Sequence, residues 1–83
     1  MLHTIKNVKH LDDYKLMLTF NDNKQKIVDL KKYRNKGPET VFYPFKNLEF
    51  FKRVKVDKKL GTLIWPNGVD LCPDTLYRLG KDA

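Results

Sequence analysis

The sequence contains no serine and a single cysteine, Cys72. These absences exclude a serine nucleophile, an intramolecular disulfide and a zinc site built from several cysteines. A Cys–His nucleophile would have to combine Cys72 with His3 or His10. We favour a structural role, because the position before Pro73 predicts that the cysteine lies at a helix N-terminus or is buried behind it.

Long apolar runs and glycine-rich stretches are also missing. No stretch approaches the roughly 20 apolar residues of a membrane span, and the N-terminus lacks the apolar core of a signal peptide. The four glycines stand singly, so no phosphate-binding loop of the glycine-rich type is expected. His3 and His10 are seven residues apart on an expected strand, which disfavours a shared metal ion. We therefore expect a cytoplasmic protein that is not an enzyme, has no cofactor and binds no metal or membrane.

The length of 83 residues predicts one domain, residues 1–83, with a small core rich in its ten aromatic side chains. Residues 14–20 alternate between apolar and polar, the clearest strand pattern of the chain. The turn-type residues Asn21-Asp22-Asn23 and a second extended stretch, residues 24–28, complete a hairpin. Residues 4–11 predict a further, bulged strand.

The second half of the chain predicts short helices and a second hairpin. Residues 29–35 favour a short helix stopped by Gly37-Pro38. The helical spacing of Phe45, Leu48 and Phe51 favours two or three turns within residues 44–51, and Asn47 is expected to cap a short turn of helix there. Residues 54–57 and 62–65 predict the hairpin. We thus expect an α+β fold in which two β-hairpins form a mainly antiparallel sheet, with short helices and a C-terminal helix.

Residues 65–74 form the most informative motif. Both residues of the Asn67-Gly68 pair tolerate positive φ, which predicts a tight turn. Helix start and stop signals follow: Pro73 favours a first helical turn, Gly80 a left-handed stop, and residues 81–83 a loose tail. Asp70 and Asp74 are interpreted as capping acids rather than a catalytic pair. The expected core, which includes the indole of this motif, is Leu16, Leu18, Phe20, Val54, Val56, Trp65, Leu71 and Leu76.

The chain resembles a small, mostly bacterial family, domain of unknown function 2442. The resemblance covers nearly the whole chain and is carried by residues 14–20 with the following turn, 28–30, 45–51 and, above all, 65–77. It implies a compact α+β domain of two hairpins with short helices. The family has no established activity, but its members are often encoded beside another small protein in an arrangement similar to a toxin–antitoxin pair. The resemblance therefore implies a small protein partner.

Charge suggests where a partner binds. Lysine and arginine outnumber acids 17 to 10, giving a net charge of +7, and the excess lies in residues 24–36 and 46–59. The candidate basic surface consists of Lys31, Lys32, Arg34, Lys52, Arg53 and Lys55. We expect a non-catalytic interaction or regulatory module, antitoxin-like, whose partner is another small protein. Nucleic-acid binding through the basic surface is the alternative, although few arginines are available for base readout, and association with a second copy is also open.

Overall fold

The computed structural model describes residues 3–83, in which seven strands and two α-helices alternate with 3-10 turns. In chain order the strands are β1 (Ile5–His10), β2 (Lys15–Phe20), β3 (Gln25–Asp29), β4 (Lys55–Asp57), β5 (Thr62–Ile64), β6 (Asp70–Leu71) and β7 (Lys81–Asp82). The α-helices are α1 (Leu48–Phe51) and α2 (Pro73–Leu79), and the 3-10 helices are Lys31–Asn35 and Tyr43–Lys46. The α+β class is confirmed. The strands form two antiparallel sheets, β1-β2-β3-β7 and β4-β5-β6, rather than one.

The first sheet is a meander built by the alternating pattern of β2. Leu16, Leu18 and Phe20 are fully buried, whereas Lys15 and Met17 lie on the opposite face. The expected bulge in β1 is present between Ile5 and Asn7, where the register with β2 shifts. Because side chains alternate along a strand, β2 both supplies the core and defines an outer face.

The two sheets meet where β1 lies beside the β4–β5 hairpin. The amide of Ile5 donates to the carbonyl of Gly61 at 2.8 Å, and Lys58 Nζ donates to the carbonyl of Lys6 at 2.9 Å. Gly61 has φ +72, and a Cβ there would lie 2.5 Å from Cβ of Thr4. Only glycine suits this contact, which covers the otherwise open edge of β1.

The turn between β5 and β6 holds the motif that the sequence singles out. The Gly68 amide donates to the carbonyl of Trp65 at 2.9 Å, and the Trp65 amide donates to the carbonyl of Val69 at 3.0 Å. Gly68 has φ +88, as predicted, but Asn67 does not have positive φ. The loop is thus longer than the two-residue turn expected from the Asn-Gly pair.

The C-terminal region departs from expectation in two ways. Helix α2 begins at Pro73 as predicted, but Gly80 is extended (φ −71, ψ 150) instead of left-handed. The chain continues into β7, which pairs with β3, and the amide of Ala83 donates to the carbonyl of Gln25 at 3.0 Å. The expected loose tail is therefore an edge strand, because an extended Gly80 turns the backbone along β3.

The short helices also differ from the predicted ones. Residues Lys31–Asn35 are 3-10 rather than α-helical. The stretch expected to be one helix is divided at Asn47, whose extended backbone (φ −89, ψ 110) separates Tyr43–Lys46 from α1. Its side chain caps α1 by accepting the amide of Glu49. The apolar face predicted over Phe45, Leu48 and Phe51 is consequently broken, and Leu48 is exposed.

Aromatic rings make up much of the core. Five of the eight expected core residues are buried; the exceptions, Val54, Val56 and Leu71, are half-buried and pack against the core from the small second sheet. Sequence reasoning missed Tyr14, Phe45 and Phe51, which are all buried. Within residues 3–83 no helix is long and apolar enough to cross a membrane.

Candidate interaction surface

Residues 31–53 connect the two sheets without contributing a strand, and we call this segment the loop layer. Its centre is Phe45, which is fully buried. The ring of Phe45 lies 4.6 Å from that of Trp65, 5.5 Å from Phe51 and 5.6 Å from Phe42, between centroids. Tilted and edge-on aromatic contacts of this kind add to the free energy of burial. The loop layer is therefore fixed from below by aromatic packing.

Two buried hydrogen bonds from the sheets hold its backbone. Tyr14 Oη donates to the carbonyl of Phe45 at 2.5 Å, and Trp65 Nε1 donates to the carbonyl of Phe51 at 2.9 Å. Burial raises the pKa of the Tyr14 hydroxyl, which keeps it in the neutral form that can donate. Each bond therefore ties the backbone of a short helix to a side chain from another part of the fold.

A third tie fixes the first part of the loop layer. Asn67 Nδ2 donates to the carbonyl of Val41 at 3.2 Å, while Asn67 Oδ1 accepts the amide of Val69 at the same distance. The Thr40 hydroxyl donates to the carbonyl of Gly37 at 2.9 Å. Side chains thus replace the strand ladder that this segment lacks, so its backbone is positioned by specific partners.

The loop layer exposes apolar side chains that the core does not use. Val41 is 62% exposed, Tyr43 44% and Leu48 37%. They account for half of the large apolar side chains that are exposed among the described residues; the others are Leu11, Leu60 and Leu79. Single exposed apolar residues are ordinary, but several on one anchored segment are typical of a contact surface.

The segment that carries these side chains is also positively charged. Residues 31–53 contain seven basic and two acidic residues, a net charge of +5. Lys46 Nζ lies 5.8 Å from the ring centroid of Tyr43, and cations over aromatic faces are weakly attracted there. At least one basic group therefore lies beside an exposed side chain of the loop layer.

The six predicted basic residues have different neighbours. Lys31 Nζ lies 3.9 Å from Asp13 Oδ2, and Lys52 Nζ lies 3.8 Å from Glu49 Oε2. Both pairs are partly exposed and of little energetic weight, but each lysine has an acid beside it. Lys32 lies over the Tyr33 ring and Arg34 over the Tyr14 ring. Arg53 follows α1, and Lys55 lies on β4, outside the loop layer.

The residues of the predicted turn motif have structural roles of different kinds. Trp65 and Asn67 anchor the loop layer, as described above, while Pro73 is buried in the first turn of α2. Asp74 Oδ1 accepts the backbone amide of His3 at 2.9 Å and lies 3.0 Å from its Nδ1, so this acid attaches the N-terminal segment to α2. Asp74 lies in the first turn of α2, as the capping interpretation expects, whereas Asp70 lies in β6 opposite Ile64, outside the helix.

Cys72 occupies the N-cap position of α2, which confirms the first of its two expected placements; it is exposed and not buried behind the helix. Pro73 and Leu76 fill the space between α2 and the core, and the thiol is exposed to solvent. The backbone amides of Thr75 and Asp74 lower the pKa of the Cys72 thiol, because amides at a helix N-terminus stabilise the thiolate.

Sequence reasoning missed Val41, Leu48 and Lys46 as surface residues. The available signals are weak: Val41 follows a turn-rich stretch without periodicity, and Asn47 is a residue that can end one helix and cap the next. The exposure of Leu48 depends on that break. The contact surface is therefore visible only once the anchoring bonds from Tyr14, Trp65 and Asn67 are known.

Comparison with known proteins gives one finding. The model of a family described as "Protein of unknown function (DUF2442)" matches residues 5–82. No curated protein and no solved structure matches the chain.

Proposed function

Since the chain belongs to the DUF2442 family of proteins of unknown function, which prescribes no reaction, we propose from the geometry of the loop layer that it is a non-catalytic interaction module. Its partner is another small protein, and the module acts on it in the cytoplasm as an antitoxin-like or regulatory subunit. The observation that carries the proposal is the exposure of Val41, Tyr43 and Leu48 on one anchored, positively charged segment.

The chemistry of the loop layer favours an acidic partner with an apolar contact surface. Exposed side chains such as Val41 and Leu48 supply area that can be removed from water, at about 25 cal/mol per Å². The surrounding excess of five positive charges attracts an acidic protein and accelerates encounter. Because side-chain bonds already fix the backbone, little ordering is needed on binding.

The loop layer is better suited to binding a protein partner than an edge of either sheet. The edge of β1 is covered by Gly61 and Lys58, and β6 and β7, which end their sheets, are only two residues long. A partner strand would gain few main-chain hydrogen bonds at such short edges. Docking through the loop layer requires no strand pairing.

The experiment is a calorimetric titration of the protein with the small protein encoded beside it. Leu48→Glu and Val41→Asp are expected to weaken binding about tenfold or more, the loss for about 1.4 kcal/mol of contact. Leu60→Glu is the matched control, because Leu60 is 54% exposed but lies in the β4–β5 turn. Unchanged affinity in both loop-layer variants, or no binding by the unaltered protein, overturns the proposal.

Nucleic-acid binding is the second candidate, favoured by the juxtaposition of Lys46 with the exposed ring of Tyr43. An aromatic face beside a cation can stack a base of a single strand and contact its phosphate. In that case affinity for random-sequence DNA or RNA falls log-linearly with salt, and Lys46→Gln reduces the slope by about one. A protein partner behaves differently, since apolar contacts persist at moderate salt. Micromolar nucleic-acid binding near physiological salt would reverse the ranking.

A further inference from the structure

A cavity of about 380 Å³ lies where β1 meets the turn between β4 and β5, apart from the loop layer. It is lined by residues 4–6 and residues 58–61. Lys6, Lys58 and Lys59 belong to this lining, which contains no acidic residue. We call it the junction cavity, because it lies between the two sheets. Its lining carries three positive charges and no negative one.

The bulge in β1 brings the first of these lysines to the cavity. Ile5 and Asn7 pair with consecutive residues of β2, so Lys6 between them has no partner there. The extra residue of a bulge leaves the regular alternation of its strand, and bulges often redirect a side chain in this way. Lys6 Nζ donates to Asn23 Oδ1, in the turn between β2 and β3, at 2.8 Å. A neutral acceptor therefore holds this ammonium group.

The turn between β4 and β5 supplies the other two lysines. Lys58 Nζ donates to the carbonyl of Lys6 at 2.9 Å, which is again a neutral acceptor. The acid of this turn, Asp57, does not line the cavity; its Oδ1 accepts the amides of Lys59 and Leu60 at 2.9 and 3.2 Å. Within residues 3–83 no ion pair joins an acid to any of the three lysines. Their charges are thus not compensated by ion pairing in the described chain.

This arrangement favours a phosphate group as the ligand. An ammonium group has three N–H donors, and Lys6 and Lys58 each use one of them on a neutral oxygen. Like charges in one site disfavour each other, and an anion between them relieves this repulsion. A carboxylate supplies one negative charge, whereas a phosphate monoester supplies about two and so matches three lysines better. We infer that the junction cavity binds a phosphate monoester or diphosphate group.

The form of the cavity favours a compact ligand over a nucleic-acid strand. Its volume of about 380 Å³ lies at the lower end of the range for small-molecule sites. Each phosphate of a nucleic acid carries a single charge, and its backbone is followed by basic groups along a groove. An anionic phospholipid presents the same phosphate chemistry, and Leu60, which is 54% exposed at the cavity, offers its apolar part a contact. The ligand is therefore a soluble phosphate compound or a phospholipid headgroup.

An NMR titration of the full chain with pyrophosphate tests the inference. It is carried out at about 150 mM sodium chloride, where attraction between exposed charges is largely screened. We expect saturable shifts of the amides of residues 4–6, 23 and 58–61, with a dissociation constant below about 1 mM. Shifts that do not saturate, or that spread over the basic residues of the whole chain, overturn the inference.

A pair of variants separates the cavity from the overall charge. Lys59→Gln removes one positive charge but none of the hydrogen bonds that join β1 to the turn, and it should weaken pyrophosphate binding about fivefold or more. Lys36→Gln is the matched control, because it removes one charge outside the cavity; less than about a twofold change is expected. Equal effects of the two variants contradict the inference.

Thermal melts and vesicles complete the test. Since a ligand of the folded state stabilises it by mass action, about 10 mM pyrophosphate should raise the melting temperature of Lys36→Gln more than that of Lys59→Gln, at matched ionic strength. Flotation with phosphatidylcholine vesicles that contain phosphatidic acid distinguishes the two sources. Flotation that Lys59→Gln abolishes assigns the site to a phospholipid headgroup, and pyrophosphate binding without flotation assigns it to a soluble compound. Binding to neither probe overturns the inference.

Discussion

The first sheet and the loop layer are held in place in different ways. In the first sheet the backbone is held by strand pairing, and the register places Lys15 directly opposite Asp29. In the loop layer the backbone is held by side chains from elsewhere, and the net charge is +5. The difference implies that the backbone of the first sheet is determined by local strand pairing, whereas that of the loop layer depends on side chains from distant parts of the chain.

The largest expected effect comes from removing the support of the loop layer. Trp65→Ala deletes a buried ring that packs on Phe45 and removes the indole donor to the carbonyl of Phe51. We expect a loss of about 3–5 kcal/mol in the free energy of unfolding, measured by urea denaturation. Leu60→Ala, on the exposed β4–β5 turn, should change it by less than about 0.5 kcal/mol. Equal midpoints for the two variants would show that Trp65 is not an anchor.

A smaller effect is expected where the two sheets meet. Gly61→Ala places a Cβ at positive φ and against Thr4, so it should cost about 2 kcal/mol or more. Gly68 also has positive φ, but a Cβ there has no neighbour within 4 Å. Gly68→Ala should therefore lower the free energy of unfolding by only about 1 kcal/mol. The difference between the thermal stabilities of the two variants measures the steric contribution of the contact at Gly61. A larger loss at Gly68 would contradict the contact with Thr4.

Removing the hydroxyl of Tyr14 tests whether the stability of the first sheet depends on that of the loop layer. Tyr14→Phe keeps the ring against Phe51 but removes the hydrogen bond to the carbonyl of Phe45. We expect a loss of about 1 kcal/mol. Hydrogen exchange should show faster exchange of amides in residues 43–52, with those of β2 and β3 little changed. Uniformly faster exchange would indicate that the sheet depends on the loop layer.

The smallest effect is expected at Cys72, which lies outside the first sheet and the loop layer. Because the thiol is exposed, Cys72→Ala should change the free energy of unfolding by less than about 0.5 kcal/mol and leave partner binding intact. The lowered pKa means that the thiolate is populated at lower pH than in a free cysteine, so native-state alkylation should be readily measurable and rise at lower pH than for a model thiol. Loss of partner binding in Cys72→Ala would assign the thiol a role that the geometry does not suggest.

The sequence predicts the first sheet well because its signal is local. The alternation of residues 14–20 assigns each side chain to a face, so the burial of Leu18 and the outward position of Met17 follow from period alone. Turn chemistry at Gly68 is equally local, and its positive φ was predictable.

The loop layer and the division into two sheets depend on contacts between distant residues. The carbonyl of Phe45 finds its donor on Tyr14, and Gly61 meets Thr4, although nothing in the intervening sequence indicates either pairing. The basic residues illustrate the same point, since composition reveals an excess of lysine but not that Lys31 and Lys52 each lie beside an acid. Tertiary packing decides which side chains of such a segment remain exposed.

The contact between β1 and the β4–β5 hairpin also has a kinetic consequence. The strands β1, β2 and β3 pair with their neighbours in the chain and are expected to form early in folding, because contacts of short sequence separation close with little loss of entropy. The cover of β1 comes from Lys58 and Gly61, with Lys58 and its acceptor Lys6 separated by 52 residues. Until that cover arrives, the edge of β1 is open to other chains. Refolding yield should therefore fall with protein concentration, and more steeply in Gly61→Ala, in which the edge is covered later.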